Sequence, residues 1–319
     1  MLKIAQLAGH LISIRDLSID TINLILGAAE KMDEKLKTYG YNREEPAKGK
    51  VLASLFFEPS TRTHYSFEAA ILRLGGKYWG FSGTNGTSVV KGESISDTIR
   101  MADQYADIIV LRHRLEGAAR LASRLVTKAH VINAGDGANQ HPSQTLLDLY
   151  TINKITQGNI SKAKIALVGD MRHARTMRSL LWALALFGAK VIFVAPPELS
   201  FGKETLEDVS RTFSFEAESC ESLKDPLVSD ADVLYLCRIQ KERFADPLEA
   251  EKVRGAYRID QSVLANLSSD VAVMHPLPKT SDEISPEIDN SSHAWYYRQA
   301  ANGVPVRMAI ISLLIGGQL

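Results

Sequence analysis

Residues 51–64 read VLASLFFEPSTRTH, and this stretch decides how the chain is organised. The run 51–57 is apolar apart from one serine, as expected of a strand buried on both faces. Beyond it Phe67, Ala70, Ile71 and Leu74 recur at i, i+3, i+4 and i+7, which predicts an amphipathic helix ending at Gly75-Gly76. The junction therefore places Ser60, Thr61, Arg62 and Thr63 in the first turn of a helix, at the carboxyl end of a strand. Free backbone N–H groups and the positive end of the helix dipole meet there, which suits a phosphate. Arg62 adds a planar fork matched to phosphate oxygens. One serine or threonine would suffice as an N-cap. Four phosphate-compatible side chains in succession point to an anion site.

Working outward, short β-rich runs alternate with helical patterns, the signature of an α/β protein with parallel sheets. Strands are predicted at 51–57, 77–82, 106–112 and 130–134 in the first half, and at 163–169, 190–196, 231–236 and 270–275 in the second. Helices fill the gaps, among them 92–105, 116–126 and 174–187. The expected architecture is two doubly wound domains, each a mainly parallel sheet of about four strands flanked by helices. The helix 142–155, with Pro142 at its first position, is the predicted connector. A last helical stretch near 302–316 is free to return to either half. Segments 82–93 and 277–291 read as loops.

Composition bounds the function. The 319 residues suffice for two domains, and 45% hydrophobic with 23% charged residues describe a soluble globular chain. Lys+Arg and Asp+Glu balance at 37 each, so no global field favours nucleic acid, and any anion site is local. Cys220 and Cys237 have neither CxxC nor metal spacing. The opening residues lack a signal-peptide pattern, and the apolar runs 180–189 and 308–317 are shorter than a membrane span. The expectation is a cytoplasmic protein without metal, cofactor, membrane or nucleic-acid partner. GDMRHAR (169–175) follows a strand, yet GxGxxG and Walker motifs are both absent, which argues against a nucleotide cofactor.

Ligands of such sheets bind beyond the carboxyl ends of the strands. The loops there carry Lys91, then Arg112 with His113, then His141 and Gln144 one helical turn apart. In the second half they carry Arg175, then Arg238, Gln240 and Arg243, and finally HPLPK at 275–279. A single such residue is ordinarily a surface charge or a cap. Their repetition at one end of two sheets marks a polyanionic, two-part site.

Taken in order, FEPSTRT (57–63), HPSQTLLDLYT (141–151), RIQKER (238–243), HPLP (275–278) and HAWYYRQAANG (293–303) resemble the aspartate/ornithine carbamoyltransferase family. The resemblance spans essentially the whole chain. It implies a carbamoyl-phosphate-binding domain at 1–141, completed by a C-terminal helix near 296–319, and an amino-acid-binding domain at 142–295. It implies transfer of the carbamoyl group of carbamoyl phosphate to L-aspartate, an early step of pyrimidine synthesis. Pro276 stands where ornithine-using members show cysteine, which favours aspartate as acceptor.

By the same resemblance Ser60, Thr61, Arg62 and Thr63 hold the phosphate. Arg112 bridges phosphate and carbonyl oxygen, His141 donates to that oxygen, and Gln144 with the carbonyls of Leu277 and Pro278 meets the carbamoyl amide. Arg175, Arg238 and Gln240 bind the aspartate carboxylates. Lys91, beside Thr87 and Ser88, belongs to a loop that reaches a neighbouring subunit's site, which implies a homotrimer; regulatory chains or a dihydroorotase are further partners known in the family. Glu58 is assigned to pairing with Arg175 and Arg243 when the domains close. Two positions depart from the family pattern, His64 and Lys279, each where arginine is usual. Neither is among the expected ligands.

Overall fold

A computed structural model describes residues 9–239 and 257–317. The chain divides into two compact units, the first comprising 1–150 with 302–319 and the second 151–301.

The first unit is built on a parallel sheet of β1 (Val51–Phe56), β2 (Lys77–Ser82), β3 (Ile108–His113) and β4 (His130–Asp136), in the spatial order β2-β1-β3-β4. Around it lie α1 (Ile19–Tyr39), α2 (Thr61–Arg73), α3 (Ile95–Tyr105), α4 (Ala118–Leu125) and the start of α5 (Pro142–Ile155). Strands β1 and β3 are buried almost throughout because they are central and covered on both faces. Strand β2 is the edge and is largely exposed, Tyr78 and Trp79 included. Gly80 allows β2 to approach β1: a Cβ there would lie 2.0 Å from the Ser54 carbonyl oxygen. Ala53, Leu55, Ile109, Leu111 and Val131 pack with Ile99 of α3 and Ala119 of α4 into one core.

The second unit holds five parallel strands, β5 (Lys164–Gly169), β6 (Lys190–Val194), β7 (Ala217–Cys220), β8 (Val233–Cys237) and β9 (Ala272–Met274), in the order β7-β6-β5-β8-β9. Among the described residues its helices are α6 (Arg175–Phe187), α7 (Lys203–Thr212) and the short α8 (Gln261–Leu264). The last helix, α9 (Tyr296–Leu314), begins in this unit and ends in the first.

Eight predicted strands are present with ends shifted by a few residues. The fifth strand of the second sheet, β7, was not predicted. Its AESC sequence lies exposed at the sheet edge, so it has no apolar alternation to announce it. Helix α9 starts earlier than the predicted 302, since Tyr296 and Gln299 lie inside it. Each predicted loop contains a 3-10 turn, Ser88–Lys91 and Pro286–Asn290. Among the described residues no helix is long and apolar enough to cross a membrane.

Strand order adds a fact that chain order does not contain. In the first sheet the connection from β1 runs outward to β2, whereas that from β3 runs the opposite way to β4. The crevice between β1 and β3 is therefore a topological switch point, where open α/β sheets bind ligands. In the second sheet the same reversal falls between β5 and β8.

Candidate active site

Each expected cluster flanks one of these switch points. In the first sheet Phe56 is in register with both Ser82 and Arg112, so the loops following β1, β2 and β3 leave together. The segment 57–60 then turns into α2, whose first backbone bond runs from the His64 N–H to the Ser60 carbonyl. Ser60 occupies the N-cap position with extended backbone, yet its side chain makes no capping hydrogen bond. Thr61 and Arg62 are exposed in the first turn, while Thr63 is buried. An ordinary capping serine would be spent on its own helix. Ser60 instead leaves its hydroxyl uncommitted to the helix, as are the first-turn N–H groups, and the dipole adds to their attraction for an anion.

Arg112 enters from β3 and is held in place. Its guanidinium donates to the Ala134 carbonyl at 3.2 Å and lies 3.4 Å from the Glu58 carboxylate. His141 precedes α5 and is buried; its Nε2 is 3.4 Å from the Thr63 hydroxyl and its Nδ1 is 3.5 Å from the Ser143 hydroxyl. Gln144, one turn on, donates to Asp148 at 2.9 Å. Thus Ser60, Thr61, Arg62, Thr63, Arg112, His141 and Gln144 share one end of the first unit. Thr63 and His141 are directly adjacent although far apart in sequence. Neighbouring His113 has another task. Its ring accepts the Leu115 N–H at 3.0 Å, and burial, helped by the Arg114 charge, pushes its pKa below the ordinary histidine value.

Lys91 is exposed at the end of the 3-10 turn after β2 and makes no hydrogen bond or ion pair among the described residues. Thr87 is engaged locally, donating to the Thr84 carbonyl at 2.6 Å and accepting the Val89 N–H. Ser88 is exposed.

In the second unit Gly169 and Cys237 end β5 and β8 in register. Arg175 opens α6 behind the first of them and is half-buried, and Arg238 follows the second and is exposed. The carboxyl ends flanking this switch point therefore each supply an arginine. Between them burial pushes the Cys237 thiol up to about 12, which disfavours the thiolate. Gln240 and Arg243 lie outside the described residues. The HPLP segment leaves β9 held by internal hydrogen bonds. The His275 N–H donates to Gln299, and its ring Nδ1 accepts the Leu277 N–H at 2.8 Å. Leu277 sits at φ 59° and the Leu277–Pro278 peptide is cis.

The two unusual positions are packing residues. His64 is buried edge-on against Phe56, with Nε2 3.2 Å from the Glu68 carboxylate but off the hydrogen-bond direction. Lys279 pairs with Asp289 at 2.8 Å and sits over the Tyr296 ring. Three supports escaped the sequence reading: the Ala134 carbonyl and Glu58 carboxylate that seat Arg112, and the Asp148 carboxylate behind Gln144. A backbone carbonyl has no sequence signal. Asp148, four residues after Gln144 on the same helix, had one in its spacing.

Known proteins match this description. The carbamoyl-P binding domain of aspartate/ornithine carbamoyltransferases matches residues 9–154, and their Asp/Orn binding domain matches residues 161–314. An aspartate carbamoyltransferase catalytic subunit from Methanothermobacter thermautotrophicus is 51% identical over 306 residues, covering 96% of this chain and 95% of the relative. The catalytic subunit of M. jannaschii aspartate transcarbamoylase superposes with a TM-score of 0.89 at 48% identity, covering 97% of this chain and 98% of that one. Aspartate transcarbamoylase from Trypanosoma cruzi, solved with carbamoyl phosphate and aspartate, gives 0.87 at 35% identity, with 95% of each chain covered. With both domains matched in order over nearly its full length, the chain belongs to the aspartate/ornithine carbamoyltransferase family.

Proposed function

We propose that the chain is the catalytic chain of an aspartate carbamoyltransferase. It takes carbamoyl phosphate and L-aspartate to N-carbamoyl-L-aspartate and phosphate, an early step of pyrimidine synthesis, in the cytoplasm. The observation that carries the reading is the uncommitted first turn of α2 beside Arg112 and the Thr63–His141 pair. The M. jannaschii and T. cruzi relatives, named as aspartate transcarbamoylases, support aspartate as acceptor.

The phosphate of carbamoyl phosphate occupies the first turn of α2, held by Ser60, Thr61, Arg62 and Thr63. The carbonyl oxygen faces Thr63, Arg112 and His141, and the carbamoyl amide faces Gln144. Arg175, Arg238 and Gln240 take the aspartate carboxylates. The aspartate amine attacks the carbamoyl carbon, and negative charge builds on the carbonyl oxygen. Donors already in position stabilise that charge without reorganising. The bond from carbon to the bridging oxygen then breaks, and the leaving phosphate accepts the amine's proton. No enzyme nucleophile is needed.

The family resemblance, the exposed edge strand β2 and Lys91 beyond it, exposed and without an ion pair among the described residues, support a homotrimer in which that loop serves a neighbouring site. The decisive experiment is a product assay with carbamoyl phosphate and a panel of amino acids. Carbamoyl-aspartate is the expected product. Turnover on another amine with none on aspartate would reassign the acceptor, and no turnover on any amine would indicate a silent homologue.

A further inference from the structure

The first unit buries two ionisable side chains that the chemistry above does not use. Asp148, on α5, is completely buried, and Arg307, on α9, is 2% exposed. Burial lowers the guanidinium's pKa to about 10, and the nearby Asp148 charge opposes that fall. Arg307 thus remains a cation at neutral pH. Its guanidinium carbon lies 4.9 Å from the centre of the Phe67 ring, on the helix that carries the phosphate-binding turn. The space it occupies exists because residue 303 is glycine: a Cβ there would stand 2.2 Å from a terminal guanidinium nitrogen.

Asp148 is also the acceptor for the Gln144 side-chain amide, Nε2 to Oδ1 at 2.9 Å. The amide nitrogen therefore faces Asp148, whose oxygen serves as its acceptor. The Gln144 carbonyl oxygen is then turned the other way. A primary amide fixed in that sense offers an acceptor to a ligand's N–H and no donor.

We propose that Asp148 is a positioning residue that orients the Gln144 amide as a selective acceptor for the NH2 group of carbamoyl phosphate. The proposal rests on the reading of Gln144 as the contact to the carbamoyl amide. Arg307, buried in the same unit, packs on Phe67 of the helix for the phosphate end.

Acetyl phosphate isolates this function, because a methyl group replaces the NH2 and donates nothing. The readout is the ratio of binding constants for carbamoyl phosphate and acetyl phosphate, measured with the full-length enzyme by inhibition or direct titration. Gln144→Ala is expected to lower the ratio by up to about tenfold, the range of one net hydrogen bond. Asp148→Asn is expected to lower it comparably, because a neutral amide partner lets Gln144 rotate. The double variant should then lose no more than Gln144→Ala alone. Asp148→Asn leaves Arg307 buried without its counter-charge and can fail to fold. The paired replacement Asp148→Asn with Arg307→Met removes both charges and is the tolerant version. General loosening of the fold would weaken both ligands equally and leave the ratio unchanged. A folded Asp148 variant with an unchanged ratio, beside a lowered ratio in Gln144→Ala, overturns the proposal alone. An unchanged ratio in Gln144→Ala overturns the reading beneath it as well.

Discussion

Ser60 and Thr63 show how one turn divides its work. A serine at an N-cap normally bonds a first-turn amide, and losing it costs about 1 kcal/mol. The Ser60 side chain makes no such bond. Ser60→Ala is therefore expected to leave stability to urea within about 0.5 kcal/mol of the parent, while KM for carbamoyl phosphate rises. A stability loss of cap size with KM unchanged would return Ser60 to the role of a simple cap. Thr63 is buried against His141 and, in the proposed mechanism, belongs to the group that meets the reacting oxygen. Thr63→Val keeps the shape and removes the hydroxyl. The expected result is a fall in kcat of about 10²-fold or more, the cost of one oxyanion donor, measured by steady-state kinetics on a variant whose circular dichroism is unaltered. His64 belongs to this scale too. Sequence alone marked it as a departure within the phosphate run, whereas its burial against Phe56 and Glu68 assigns it to packing.

At the scale of elements, one carboxylate ties a helix end to the start of a strand. Asp103 lies near the end of α3 and is 2% exposed. Its oxygens accept the backbone N–H groups of Thr127, Lys128 and Ala129 and the Thr127 hydroxyl, all just before β4. Burial by itself would raise this carboxyl, but those donors prevail and hold it down to about 2. An unfolded aspartate titrates near 4. The folded state therefore keeps Asp103 ionised where the unfolded chain is already protonated. This stabilisation is complete above about pH 4 and fades as the pH falls toward 2, amounting to about 2 kcal/mol. Asp103→Asn should lower stability at pH 7 by at least that amount. Urea midpoints followed from pH 7 to pH 3 would show the two proteins converging, and parallel curves would contradict this account. Central strands such as β1 and β3 were legible because burial on both faces writes a continuous apolar run. The exposed β7 carries no such run and was missed.

For the whole molecule, the proposed sharing of sites between subunits has a direct test. Lys91→Ala and His141→Ala chains, each inactive alone, are mixed, dissociated and reassembled. With shared sites each mixed trimer regains roughly one intact site in three, so activity should reappear in the mixture. No recovery after demonstrated exchange of chains would mean that every site is complete within one chain. The sequence by itself determined the α/β class, most strand positions and the strand-to-helix turn proposed to bind phosphate. These are local properties: apolar periodicity, turn chemistry and the crowding of ligands at one helix start leave their mark on neighbouring residues. Only the tertiary structure decided the order of strands within each sheet, and hence that Arg112 with the α2 turn, and Arg175 with Arg238, flank the two reversals of winding. It also decided that Thr63 meets His141, and that Arg307 is buried near Asp148. Such pairings join residues tens to more than a hundred positions apart. They are settled by which faces pack together, a choice that no local pattern records.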